Sequence, residues 1–509
     1  MCCYRKQEDR ENNVGLLFRR SFRFNVHLGG GKMRLHYFTL VGLLMVFFVS
    51  PLWANQPGNL SQQASGASFL TLQDVLKQVE KGHPLLQGSQ TQKMVARGKL
   101  LTALGKFEPN LVNDWELERL VKDGNTTSVG FNDTFVEMRH PWGMKGFAGF
   151  RAGIGDVEVA DLAVNTSNQP LLGIVLPLLR GFITNPDHAE LQKSSLADKQ
   201  AELEIQQARQ DLYLGAATQY WNWVTAWKLM EVQKKAVEVA EARFTQLTKQ
   251  AKEGARARFD VIEANQEVQR RREGLIKAQR QVEQEQYKLA LFLWEDNDLV
   301  LPQDVAAPSF PAVDSAEVLP SIKQEQQRAT AVRPEIQLVK LEAEFNHIDL
   351  EVAENNFLPN LTADAQPTRK PGEFVLGLGY RFGVQLSFPF LQRGARGDQL
   401  QMAGKAQRLK LLQQFRHQQV TMDVVNAQSA ITRAQERIQV SKEALQLAHE
   451  LEKGERTRFK MGATSLLFVN LRERNVLQAA EGWLTAMADY QKAQALYQWA
   501  IGGWVNGTS

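Results

Sequence analysis

From Phe374 to Phe390 every even position is large and apolar: Phe374, Leu376, Leu378, Tyr380, Phe382, Val384, Leu386, Phe388 and Phe390. The odd positions between them (Val375, Gly377, Gly379, Arg381, Gly383, Gln385, Ser387, Pro389) are small or polar apart from Val375. Period two sustained over this length predicts a strand with one wholly apolar face. A soluble sandwich produces such a pattern, but large apolar residues outward and small or polar residues inward is what a barrel strand between lipid and a wet lumen requires. The glycines at 377, 379 and 383 do not form a nucleotide loop, because the strand pattern runs straight through them. Weaker strand patterns cover 110–121, 127–140 and 171–180, with 147–159 as a further candidate and Asp123-Gly124-Asn125 as a turn.

A different period governs the rest. No proline occurs from Asp187 to Leu301, or from Phe390 to the C-terminus. Both stretches are dominated by Ala, Leu, Gln, Glu, Lys and Arg, which favour helix. Each reads as two long antiparallel helices: 188–250 and 257–294 turning near Gly254, then 396–455 and 463–500 turning near Gly462. Val469, Leu471, Val476, Leu477, Ala480, Leu484 and Met487 recur at helical spacing, which predicts packing along the whole length. A helix of some sixty residues is about 90 Å long, too long for one globule, and needs a coiled coil or a helical tube around it.

A third pattern is the apolar run Tyr37–Val49, preceded by Lys32 and Arg34 and followed by Ser50-Pro51-Leu52-Trp53-Ala54. It reads as a secretory signal peptide cleaved near Ala54, with residues 1–32 as an upstream extension and Met33 as a candidate start. No apolar run of helical membrane-span length follows it.

Charge and chemistry then narrow the function. The chain carries 60 Lys+Arg and 56 Asp+Glu, but residues 1–54 hold eight of the bases and three of the acids. The remainder is almost neutral, so nucleic acid is not an expected partner. Both cysteines, Cys2 and Cys3, lie at the start, and the histidines are scattered without an HExxH pair. No GxSxG or catalytic cysteine is present, and Gly29-Gly30-Gly31-Lys32 lacks the Ser/Thr of a phosphate loop. The expectation is no enzyme, no cofactor and no metal site.

The chain also repeats itself. His83-Pro84 matches Arg333-Pro334, and Phe107-Glu108-Pro109-Asn110-Leu111 matches Phe357-Leu358-Pro359-Asn360-Leu361, both at an offset of 250. LPLLRG at 176–181 resembles FPFLQRG at 388–394 with its proline offset by 212, and Gly254…Phe259-Asp260-Val261 aligns with Gly462…Leu467-Phe468-Val469 at 208. The first half therefore carries about 38 extra residues among its strands. The divisions are 1–54 (extension and signal peptide), 55–68 (flexible N-terminus), 69–106 (first entry helix), 107–186 (first strands and outer loop) and 187–295 (first helical pair). They continue with 296–316 (linker), 317–356 (second entry helix), 357–394 (second strands), 395–502 (second helical pair) and 503–509 (tail).

With these duplicated motifs in order, together with KEGARARFDVIEA at 252–264 and RFKMGATSLLFVN at 458–470, most of residues 70–502 resembles the outer-membrane efflux protein family, the TolC-like channels. The resemblance implies a mixed α and β membrane protein: a homotrimer whose transmembrane β-barrel takes about four strands per protomer and continues into a long periplasmic α-helical coiled-coil tube. It implies an exit duct of a tripartite efflux or type I secretion system, seated in outer-membrane lipid and meeting a periplasmic adaptor (membrane fusion) protein and an inner-membrane pump. The longer first strand region departs from that pattern. The adaptor would dock on small residues at the turns, Gly254, Ala255, Gly462, Ala463, Thr464 and Ser465. Glu253, Arg256, Glu455 and Arg458 are the charges expected to close the inner mouth. Phe374 to Phe388, on even positions, are the expected lipid face. The alternative is a trimeric adhesin or autotransporter with a coiled-coil stalk, which would place its strands at one end of the chain rather than in both halves.

Overall fold

The computed structural model describes residues 69–122, 125–154, 158–159, 162–163, 169–302, 305–313, 319–367 and 380–507. The signal-peptide region, residues 123–124 of the expected turn, and Phe374, Leu376 and Leu378 lie outside the described residues.

Thr71 opens the first helix with a capping box. Its hydroxyl accepts from Asp74 N at 3.2 Å and the Asp74 carboxylate accepts from Thr71 N at 3.2 Å. α1 (Leu72–Gly82) stops at His83, which is extended at ψ 122 because Pro84 follows, and α2 (Pro84–Gly105) starts afresh with proline in its first turn. The second half does the same: α5 (Ile322–Val332) ends before Arg333, ψ 126, and α6 (Pro334–Asn355) follows. Each single entry helix expected from the sequence, 69–106 and 317–356, is thus two helices, because the residue before a proline is pushed out of the helical region.

The strands are β1 (Asn110–Lys122), β2 (Asn125–Arg139), β3 (Lys145–Ile154), the short β4 (Glu158–Val159) and β5 (Leu162–Ala163), β6 (Gln169–Pro177), the short β7 (Trp294–Glu295) and β8 (Asp298–Leu299), β9 (Asn360–Pro367) and β10 (Tyr380–Ser387). Six of them form one sheet in the order β1-β2-β3-β6-β9-β10, antiparallel at every step. Two more strands stand in it than the four expected. The extra pair is the hairpin β2–β3, which lies between β1 and β6 and accounts for the longer first strand region. Among the described residues the sheet is open, with β1 and β10 at its edges.

The long helices are α3 (Pro186–Lys252) with α4 (Arg258–Ala290), and α7 (Arg393–Lys460) with α8 (Leu466–Ala500). α3 starts cleanly, since Asn185 accepts from His188 N at 2.9 Å and Pro186 takes the first helical position. No helix among the described residues is long and apolar enough to cross a membrane.

Two apolar clusters hold the helices. In the first half Val75, Leu76 and Val79 of α1 lie on Tyr213, Tyr220, Trp223 and Val224 of α3, with Leu289 and Leu293 beside them. The buried ring hydroxyls are satisfied: Tyr213 donates to Glu80 at 2.7 Å and Tyr220 to the Leu70 carbonyl at 2.9 Å. In the second half Val424, Ala427 and Ile431 of α7 meet Ala486, Tyr490, Ala493 and Tyr497 of α8. The described part of the expected linker carries structure. β7 and β8 pair through Asp296 and Asn297, both in the left-handed region, and Phe310 packs against both clusters, stacked on Trp221 at 5.7 Å.

Candidate functional site

Both helical turns are built alike. α3 ends at Gly254, φ +78, where Gly254 N donates to Ala251 O at 3.2 Å and Ala255 N to Gln250 O at 2.8 Å. α7 ends at Gly462, φ +72, where Gly462 N donates to Phe459 O at 3.0 Å and Ala463 N to Arg458 O at 2.9 Å. Each is a Schellman motif, whose left-handed position belongs to glycine because a Cβ is disfavoured there. Gly254, Ala255, Gly462, Ala463 and Ser465 are exposed and Thr464 is half-buried. Beside them stand Phe259, Ile262, Met461, Leu467 and Phe468, each more than half exposed. Sequence reasoning stopped at the small residues and missed this apolar collar.

The two turns touch each other. Leu247 of α3, Ala264 of α4 and Leu466 of α8 form a small buried cluster against Phe244 and Phe459. The Arg256 guanidinium lies over the Phe459 ring, 4.5 Å from its centre, and donates to the Phe459 carbonyl at 3.2 Å. Arg256 is therefore a strut between the turns and, among the described residues, has no carboxylate partner. Glu253 is exposed at the end of α3. Of the four expected gate charges only Glu455 and Arg458 come together, at 3.7 Å, with Arg472 another 3.9 Å from Glu455.

A denser charge cluster lies further along the helices, away from the turns. Arg243 of α3 donates to Asn470 at 2.9 Å and to Glu473 of α8. Arg456 of α7 reaches the same Glu473 at 2.8 Å and Glu452 at 2.5 Å, while Asn470 donates to Glu263 of α4 at 3.4 Å. All four long helices thus meet in one network. Burial pushes the Arg243 guanidinium down to about 10, with the nearby Arg456 adding to the effect, and burial raises the Glu263 carboxyl. One signal of this cluster was in the sequence: Glu473 occupies a position of the apolar seam running from Val469 to Met487. Its partner Arg243 lies 230 residues away, which no local spacing reveals. Glu452, Arg456 and Glu473 of this network line part of an open groove of about 1270 Å³ between α3, α7 and α8, whose other walls include Phe310, Ile438, Leu445, Trp483 and Met487.

At the other end of the long helices the sheet has two faces. Register places Leu111, Trp115 and Leu117 of β1, Val136 and Met138 of β2, Phe150 of β3, Leu172 and Ile174 of β6, and Phe382, Val384 and Leu386 of β10 on one side. Eight of these, from Leu111 to Leu386, are at least 60% exposed. The opposite side carries Asp133 paired with Arg151 at 2.6 Å, Glu137 paired with Lys145 at 2.6 Å, and Asp364, Gln385 and Thr362, with the Phe135 and Phe147 rings in contact among them. The even positions of β10 that are described thus lie on the apolar side. Gly383 is on the polar side, where an added Cβ would come within 2.4 Å of the Asp364 carboxylate.

No family model and no curated protein matches the sequence. Solved structures match over nearly the whole chain. The outer-membrane channel OprN superposes with a TM-score of 0.66 at 15% identity, covering 85% of this chain and 90% of its own. CusC, solved in a study of folding and transmembrane channel formation, gives 0.64 at 15%, covering 87% and 96%. The CmeC outer-membrane channel of Campylobacter jejuni gives 0.63 at 14%, covering 90% and 94%. The fold is that of TolC-like outer-membrane efflux channels, as the duplicated motifs implied.

Proposed function

We propose that the chain is the outer-membrane exit duct of a tripartite efflux or type I secretion system. The observation that carries this reading is the union, in one chain, of an open two-faced sheet with long helices that end in a pair of matching turns. An antiparallel sheet with one apolar and one polar face suits a barrel wall between lipid and water. Its open edges are intolerable in lipid, so several copies, three in the trimer the resemblance implies, must close the wall. The helices then continue the tube into the periplasm. The turns, with Gly254-Ala255, Gly462-Ala463-Thr464-Ser465 and the apolar collar, form the docking face for an adaptor joined to an inner-membrane pump. Glu455, Arg458, Glu253 and Arg256, backed by the Arg243–Glu473–Arg456 network, hold the inner mouth closed at rest. Glu253 and Arg458 at the turns are exposed, and exposed ion pairs are worth little singly, which suits a gate that opens.

Gly462→Trp tests this. An added Cβ at Gly462 meets nothing within 4 Å in the protomer, and the left-handed backbone there, φ +72, costs a side chain only about 1–2 kcal/mol, so the protein is expected to reach the outer membrane and assemble, while export of substrate from cells is lost. Normal assembly with normal export would remove the turns from docking and gating.

A further inference from the structure

We propose that the β2–β3 hairpin is part of the barrel wall, so that each copy supplies six strands and three copies close an eighteen-stranded barrel through a β10–β1 seam whose register is already written inside the chain. The proposal rests on the trimeric duct reading above and goes beyond its four strands per copy.

The hairpin is built as wall. It separates β1 from β6 completely, pairing with β1 along thirteen positions and with β6 along seven. Its ends follow the faces of its neighbours, with Phe150 and Val136 on the apolar side and the Asp133–Arg151 pair on the polar side, while the Phe135 and Phe147 rings meet at 5.5 Å on the polar side and Asn113 donates to Asn132 and Thr134 on the apolar one. Its junction with β6 is close-fitting: the Phe147 ring covers Gly173, where a Cβ would come within 2.1 Å of it.

The internal repeat supplies the seam. β6 and β10 are equivalent exit strands, offset by 212, and β1 and β9 are equivalent entry strands, offset by 250. Inside the chain the exit strand β6 already pairs with the entry strand β9: Ile174 opposite Ala365, Val175 opposite Asp364, Leu176 opposite Ala363, with Leu178 N donating to Leu361 O at 2.7 Å. Carrying both offsets over places β10 of one copy against β1 of the next, with Leu386 opposite Trp115, Ser387 opposite Asp114 and Phe388 opposite Asn113. The faces agree, since Leu386 and Trp115 are both on the apolar side. The Leu178–Leu361 bond fixes the alternation, so Ser387 and Asp114 form a non-hydrogen-bonded pair with Cα atoms about 4.5 Å apart, within disulfide reach. Because barrel diameter grows roughly linearly with strand number, the outer mouth is ~1.5 times as wide as a twelve-stranded one.

Cysteine pairs test this in the full-length protein in isolated outer membranes, with Cys2 and Cys3 replaced by serine. Ser387→Cys with Asp114→Cys is expected to give a covalent ladder up to trimer on non-reducing gels. Ser387→Cys with Glu116→Cys, two residues out of register, is expected to give at least tenfold less. A second pair probes the strand count. Asp114→Cys with Leu171→Cys would face each other only if β1 lay directly beside β6; with the hairpin in the wall they are about three strand spacings, ~14 Å, apart. A ladder only from the shifted pair overturns the register, and an Asp114–Leu171 bond within one chain overturns the six-strand wall. Native trimers of the cysteine-free protein without any ladder overturn the seam but leave the duct standing; monomers throughout overturn both.

Discussion

The two halves of the chain follow one plan and solve it with different residues. At the proline break the first half places His83 and the second Arg333. His83 is a neutral cap: its Nδ1 accepts from Leu85 N at 3.3 Å, with its ring against Phe292 and Trp294. Arg333 is a buried charge, held by Glu335 at 2.5 Å, Asp423 at 3.5 Å and the Ala500 carbonyl at 3.4 Å, and laid on Trp499 at 3.9 Å. At the turns the same Schellman geometry carries Arg256 in one half and Thr464 at the equivalent place in the other. In the sheet the first half gives four strands and the second gives two. Backbone plan was retained where hydrogen bonding dictates it; side-chain chemistry diverged wherever a second solution fitted the same backbone.

The sharpest way to break this comparison is at the proline breaks. Arg333→Ala leaves Glu335 and Asp423 without their buried partner and is expected to cost ~3–5 kcal/mol. His83→Ala loses one cap acceptor and is expected to cost ~0.5–2 kcal/mol. Denaturant unfolding of both variants checks the ranking, and equal costs would mean the two breaks are held by the same force. Next come repeat-equivalent wall positions. Leu172→Arg in β6 and Val384→Arg in β10 are each expected to cost ~2–4 kcal/mol near the membrane midplane, and Gln385→Arg on the polar face much less. Refolding into bilayers measures this; a large cost at Gln385 alone would reverse the faces.

Acid separates the halves again. Burial holds the His83 imidazole below its usual 6.5, with the Leu291 carbonyl pulling weakly the other way. The unfolded chain therefore binds a proton at higher pH than the folded one, so this contribution is complete above about 6.5 and is lost as pH falls below it. The unfolding midpoint should drop between pH 7 and 5.5, and His83→Asn, which keeps a capping oxygen, should flatten that drop. The smallest effect is expected at the turns. Gly254→Ala and Gly462→Ala meet no neighbour within 4 Å and differ from wild type only by a left-handed alanine, ~1 kcal/mol each. Thermal melts that separate the two variants by more than that would expose a contact particular to one turn.

Much of this plan was legible. Proline-free stretches ending in a lone glycine gave the long helices to within a few residues, because helix length and the left-handed terminus are local properties. The alternation from Phe382 to Leu386 gave the faces of β10. The sequence also showed strand patterns at 127–140 and 147–159, yet not that β2 and β3 enter the main sheet, since strand partners are chosen by pairing rather than by propensity. Pro84 and Pro334 mark the repeat in the sequence, but helical periodicity runs through both of them, and only the steric effect of the ring on the preceding residue, His83 or Arg333, splits each entry helix. Glu253, Arg256, Glu455 and Arg458 are legible from their nearness to the turn glycines; the desolvated cluster of Arg243, Arg456 and Glu473 is not, because it is assembled from helices far apart in sequence.

α3 runs as one unbroken hydrogen-bonded ladder from beside the sheet to the turn at Gly254. At 1.5 Å per residue its length is about 100 Å, which makes it a lever. A tilt of about 3° where it leaves the sheet carries the far end sideways by about 5 Å, one helical turn's worth of travel. α7, one residue longer, behaves alike. Changes too small to register as rearrangement beside the sheet are therefore magnified at the turns.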